Sequence, residues 1–159
     1  MEKEKLQEFA ARVTQANRSE LVVIIYEAAL ASIAEGKKQL EDGELPQARK
    51  EIERAKDMLD ELMRSLDMQY TISHYLRQLY VYAYRELCQG IALHQPELFA
   101  HATGVLEGLL PSFKEVASQD DSAPVMENVQ QIYAGLTYGP NSLNETTAMD
   151  MTKKRGFEA

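Results

Sequence analysis

Between residues 45 and 66 the apolar side chains Leu45, Ala48, Ile52, Ala55, Leu59, Leu62 and Leu66 recur at alternating steps of three and four, with charged residues at most other positions. Such a seam belongs to a helix packed at a shallow angle against another helix. A matching seam, Val22, Tyr26, Ala29, Ile33, Gly36 and Leu40, precedes it, and Gly36 would let the partner come close. Punctuating residues bracket the elements. Asn17 predicts the N-cap of a helix reaching about Asp42, with Gly43 as the left-handed residue that ends it. Pro46 fits the first turn of a second helix lasting to about Asp67. A third is expected from about Tyr70 to Leu93, and a fourth from Pro96 to about Ala117. Loops this short make successive helices antiparallel. The pattern therefore predicts an all-α fold, an antiparallel up-down four-helix bundle. Its fourth helix carries Leu98, Ala102, Val105, Leu109, Phe113 and Val116 but also Pro111, whose ring meets the carbonyl of Glu107. A kink or break is expected at residues 107 to 111.

Two segments flank this bundle. Residues 1–14 set Leu6, Phe9, Ala10 and Val13 on one face of a short amphipathic helix that is too short to be stable alone and must dock. The division expected is a helical domain over residues 1–119 and an extension over 120–159. In the extension, VMENVQQIYAG has helical character, and the polar remainder, broken by Gly and Pro, is expected to be flexible.

The stretch LRQLYVYAYREL, residues 76–87, places Tyr80, Tyr82 and Tyr84 at every second position, which is the alternation of a half-buried strand. The seams and caps around it leave no sheet for a strand to join. On a helix, Tyr80, Tyr84, Leu87 and Ile91 share one face, while Ile72, Tyr75, Leu79, Tyr82 and Ala83 occupy another. The expectation is that Tyr82 turns toward the bundle and Tyr80 and Tyr84 toward a different surface. The first long helix shows the same excess, because Leu21, Ile24 and Ala28 lie off its seam. Two helices with more than one apolar face need cover from outside the bundle core. Neighbouring helices and residues 1–14 are one source; an amphipathic peptide lying in a long groove is the other. Both hold together if the N-terminal segment is a removable lid.

Composition narrows the function. The chain has 159 residues, 45% apolar and 26% charged, the make-up of a globular protein with a core of its own. A net charge of −8 argues against a nucleic-acid partner. No apolar run approaches the ~20 residues of a membrane span. The start alternates charges instead of presenting an export signal, so a cytoplasmic protein without stable membrane insertion is expected. Cys88, the single cysteine, excludes an internal disulfide and reads as apolar filler. None of His74, His94 and His101 completes a Glu-x-x-His pair, and neither a phosphate-binding loop nor a nucleophile triad stands out. Glu27 and Glu86, the acids beside apolar faces, read as surface or capping groups. On the second long helix Asp60 is placed to meet Arg64, and Glu51 to meet Arg54, on a solvated face. The expectation is a protein that is not an enzyme, with no catalytic residues, metal or cofactor.

Leu66, Met68 and Tyr70, followed by Leu76, Leu79, Tyr80, Tyr82, Tyr84, Arg85 and Leu87, resemble the L-x-M-x-Y and L-x-x-L-Y-x-Y-x-Y-R-x-L signature of the flagellar export chaperone FliS family. SELVVIIYEAAL, with Glu20, Leu21 and Tyr26, and EDGELPQAR are similar to two further stretches of that family, so that the resemblance covers about residues 13–117. It implies a helical bundle that binds the C-terminal segment of flagellin, keeps it from polymerising in the cytoplasm and delivers it to the flagellar type III export gate. On this reading Leu21, Ile25, Tyr80, Tyr84, Leu87 and Ile91 are the candidate flagellin contacts. Leu6, Phe9 and Val13 form the candidate lid, and Tyr133, Leu136 and Tyr138 a candidate tail motif. The charged start departs from the family's Asn- and Tyr-rich one, with Phe9 as its nearest aromatic. As a chaperone the protein is expected to be a monomer or weak homodimer. The alternative is a non-catalytic scaffold or regulatory bundle whose extra apolar surface forms a homo-oligomer.

Overall fold

The computed structural model describes residue 1 and residues 3–127, and among these every regular element is helical. In order they are α1 (Lys3–Val13), α2 (Arg18–Glu41), α3 (Leu45–Ser65), α4 (Thr71–Leu93) and α5 (Phe99–Gln119), with a short 3-10 turn, Pro96–Leu98, leading into α5. α2 packs on α3 and α5, α4 packs on the same two, and α1 lies on α2. Helices α2 to α5 thus close the expected four-helix bundle. Tyr133, Leu136 and Tyr138 lie outside the described residues.

The local signals act as the chemistry of helix ends requires. Asn17 accepts the Glu20 N–H at 2.9 Å, and the Glu20 carboxylate accepts the Asn17 N–H at 2.9 Å, a reciprocal capping box that opens α2. Gly43, at φ 79°, follows the last turn of α2 and reverses the chain. α4 ends on a non-glycine residue in the same region, His94 at φ 55°.

Both seams form the core. Tyr26, Ala29 and Ile33 of α2 meet Ile52, Ala55, Leu59 and Leu62 of α3. Gly36 leaves room for α3 to pack closely, since a Cβ there would sit 2.8 Å from Ile52 Cδ1. Across the α2–α4 diagonal the hydroxyls of Tyr26 and Tyr80 meet at 2.5 Å. Burial pushes both phenols above their usual pKa, so they stay neutral and satisfy each other at the centre of the bundle.

Several expectations are corrected. Pro111 stands inside an unbroken α5, so of the kink or break expected there the break does not occur. Leu109, Leu110 and Phe113 on either side of it pack against the core, and this burial outweighs the loss of one backbone hydrogen bond. The buried line of α5 is Phe99, Ala102 and Leu106, and Val116 is exposed. The 3-10 turn sets this register by delivering Phe99 against Gly90. Glu51 is buried instead of solvated; it takes the Arg54 guanidinium at 2.6 Å and the backbone nitrogen of Met1. Arg64 pairs with Glu61 at 3.3 Å, not with the Asp60 carboxylate.

The glycines offer a direct check on this packing. A Cβ on Gly90 would lie 2.4 Å from Phe99 Cε1, whereas one on Gly104 has nothing within 4 Å. Overpacking costs about 1–3 kcal/mol, and the helix propensity of alanine returns at most about 1 kcal/mol. Urea denaturation is therefore expected to show Gly90→Ala destabilised and Gly104→Ala stabilised.

Candidate functional site

Helix α4 has two apolar stripes, and the bundle takes only one. Ser73, Tyr80, Ala83, Leu87 and Gly90 are buried. Beside them Ile72 (62% exposed), Tyr75 (60%), Leu79 (39%) and Tyr82 (44%) follow at steps of three, four and three and stay outside the core. This second seam borders α5, where Tyr82 stacks on His101 at a centroid distance of 6.5 Å, and His101 Nδ1 lies 2.5 Å from Glu86 Oε2 in a hydrogen bond. Along its other flank His74, Arg77 and Arg85 line an open depression of about 290 Å³ with Val81 and Tyr82. No acidic residue occurs between Asp67 and Glu86. An exposed apolar stripe with a basic rim, on a chain of net charge −8, has the features of an interaction surface.

The expected orientation of the tyrosines is thereby reversed. Tyr80 is 1% exposed and Leu87 is fully buried, so neither offers a surface to a partner. Small residues decide which stripe enters: Ala83 and Gly90 leave room on the Tyr80 side for the ring of Phe99 and for the tip of Tyr26. The Tyr82 side is four large residues in succession, ending at Glu86. Tyr84 and Ile91 are half-buried at the edge of the core, with Lys56 Nζ of α3 5.2 Å from the centroid of the Tyr84 ring. Leu21 and Ile25 are also half-buried, and Ile25 borders a shallow depression beside Met58 and Arg54 of α3. The candidate contact residues thus divide between the core and two separate surfaces. Ile72, Tyr75 and Leu79 had the right spacing in the sequence and were absent from the candidate set.

The second apolar face of α2 is resolved differently. Ile24 and Ala28 are buried, and α1 lies on this helix. Yet α1 itself buries no residue: Leu6 is exposed, Phe9 and Val13 half-buried. Charges contribute to its hold. Arg12 reaches one oxygen of Glu27 at 2.7 Å, and Lys114 of α5 reaches the other at 2.8 Å. An open cavity of about 470 Å³ remains among Arg12, Ile24, Lys114 and Ala117. Partial burial pushes the Glu27 carboxyl upward, but the bonds from Lys114 and Arg12 outweigh it and hold the group below its usual pKa. Its contribution is therefore complete above the usual carboxylate pKa of about 4.3 and is lost only as pH falls through the lower folded value. Glu27→Gln, which removes the charge at neutral pH, is expected to speed hydrogen exchange in α1 and leave the centre of the bundle unchanged.

The model of the family described as Flagellar protein FliS matches residues 1–120. The chain belongs to the FliS family. The comparison with curated proteins found no match. FliS is a family of flagellar export chaperones, and the matched region takes in α1 together with the bundle. Among the described residues no helix is long and apolar enough to cross a membrane.

Proposed function

We propose that this FliS protein is a cytosolic export chaperone that binds the C-terminal region of flagellin, prevents its premature polymerisation and assists its passage to the flagellar type III export gate. The observation that carries this reading is the uncovered seam Ile72, Tyr75, Leu79 and Tyr82. A client helix with apolar residues at matching intervals would seat on it, and the basic rim would favour acidic residues beside the client's apolar face. Tyrosines suit such a surface, since each offers a large ring while its hydroxyl stays wet. In this account Tyr80 and Leu87 hold α4 in place from inside. Leu21, Ile25, Tyr84 and Ile91 are secondary contacts at the margins of the bundle. α1, with Leu6, Phe9 and Val13, is a lid whose few apolar contacts let it leave α2 when a client segment replaces it. Tyr133, Leu136 and Tyr138 form a separate motif for a second partner.

Isothermal titration with the C-terminal segment of flagellin tests this reading. The expected result is a one-to-one complex with a negative heat-capacity change from apolar burial, formed by a chain that light scattering shows to be monomeric. No heat, together with a stable dimer that hides the α4 seam, would instead support the homo-oligomeric scaffold.

A further inference from the structure

The chain that follows α5 returns to the point where α1 joins α2. α1 ends at Val13 and α2 begins at Arg18, so any swing of α1 must be taken up by the backbone of residues 14–17. Asn17 spends its side-chain oxygen and backbone N–H on the capping box, and its remaining donor, Nδ2, bonds the carbonyl of Asp120 at 2.8 Å. Ser19 Oγ donates to Asp120 Oδ2 at 2.5 Å. Five residues further on, the Val125 N–H donates to the carbonyl of Ala16 at 3.1 Å. Ala16 and Asn17 are buried although they stand in a short connection near the end of the chain.

We infer that residues 120–125 form a clasp on the α1–α2 hinge, pinned to α2 at Asp120 and reaching across to Ala16 at Val125, which sets how readily α1 leaves the bundle. The division of contacts supports this. Asn17 and Ser19 belong to the start of α2, which stays with the bundle, whereas the Ala16 carbonyl lies on the side that must rotate if α1 swings. α1 buries no residue of its own and is held by half-buried Phe9 and Val13 and by the ion pairs of Arg12 with Glu27 and of the Met1 nitrogen with Glu51, so a hydrogen bond at its base adds measurably to what restrains it. The family match ends at residue 120, and the far end of the clasp is therefore furnished by this chain's own extension. That α1 covers a client surface rests on the function proposed above; the clasp can be observed without a client.

The test is hydrogen exchange on the full chain, comparing the wild type with Ser19→Ala and with Val125→Pro, which removes the donating N–H at an exposed coil position. Each variant is expected to speed exchange of the α1 amides, the pair by roughly 3- to 30-fold, while the central amides of α2 to α5 keep their rates. Unchanged α1 exchange in both variants, or equal acceleration throughout the bundle, would overturn the clasp. Titration of the same variants with the flagellin C-terminal segment separates the two ideas. Faster α1 exchange with tighter binding supports clasp and lid together; faster exchange with unaltered affinity supports the clasp and removes the lid.

Discussion

Tyr80→Ala is expected to cost the bundle about 3–5 kcal/mol, and Tyr82→Ala, two positions along the same helix, about 1 kcal/mol or less. Tyr80 is 1% exposed and belongs to the core with Ala83 and Leu87. Its removal empties a volume the size of a ring and leaves the Tyr26 hydroxyl buried without its partner, a further penalty beyond lost contact. Against a total stability of about 5–15 kcal/mol this is a large share. Tyr82 surrenders its stacking on His101 and the covered part of a residue that is already 44% exposed. Urea midpoints measure the difference, and equal losses at the two positions would contradict the orientation of α4. The hydroxyl pair can be isolated as well. Tyr26→Phe and Tyr80→Phe each orphan one buried hydroxyl, so the double variant should lose less than the sum of the two single losses.

Binding should invert that ranking. Tyr75→Glu combined with Tyr82→Glu is expected to lower affinity for the C-terminal segment of flagellin by about 100-fold or more, with thermal stability nearly unchanged. Both residues are exposed in the free chain, where a carboxylate costs little. In the complex each charge would be pressed against the client's apolar face and stripped of water without a partner. Gln47→Glu, exposed on α3 and away from α4, is the control that should leave affinity unaltered. A loss of affinity at Gln47 as large as at the tyrosine pair would mean that net charge, not the seam, governs binding.

The parts of the fold governed by short-range chemistry were legible in the chain. The Asn17 capping box, the turn at Gly43 and the two seams follow from neighbours within a few residues, and each appears where the pattern places it. A break at Pro111 was expected because the proline's cost was weighed alone, without the burial of Leu110 and Phe113 that carries the helix through. The tyrosines were misassigned for a different reason. Both stripes of α4 are apolar, and the choice between them depends on Gly90 receiving Phe99 and on Tyr26 reaching Tyr80 across the bundle. Neither contact has a local signature. The clasp is still less legible, since Asn17 and Asp120 are separated by 103 positions along the chain. For the candidate site, the sequence showed more apolar faces on α4 than one core can take. Which of them stays exposed became apparent only in the packed bundle.

Hydroxyl-radical footprinting of the complex with the C-terminal segment of flagellin tests most directly whether the α4 seam is the client surface. Labelling of Tyr75, Leu79 and Tyr82 is expected to fall several-fold on binding, while buried Tyr80 is scarcely labelled in either state. Full labelling of Tyr75 and Tyr82 in a sample where the segment is bound would contradict that assignment.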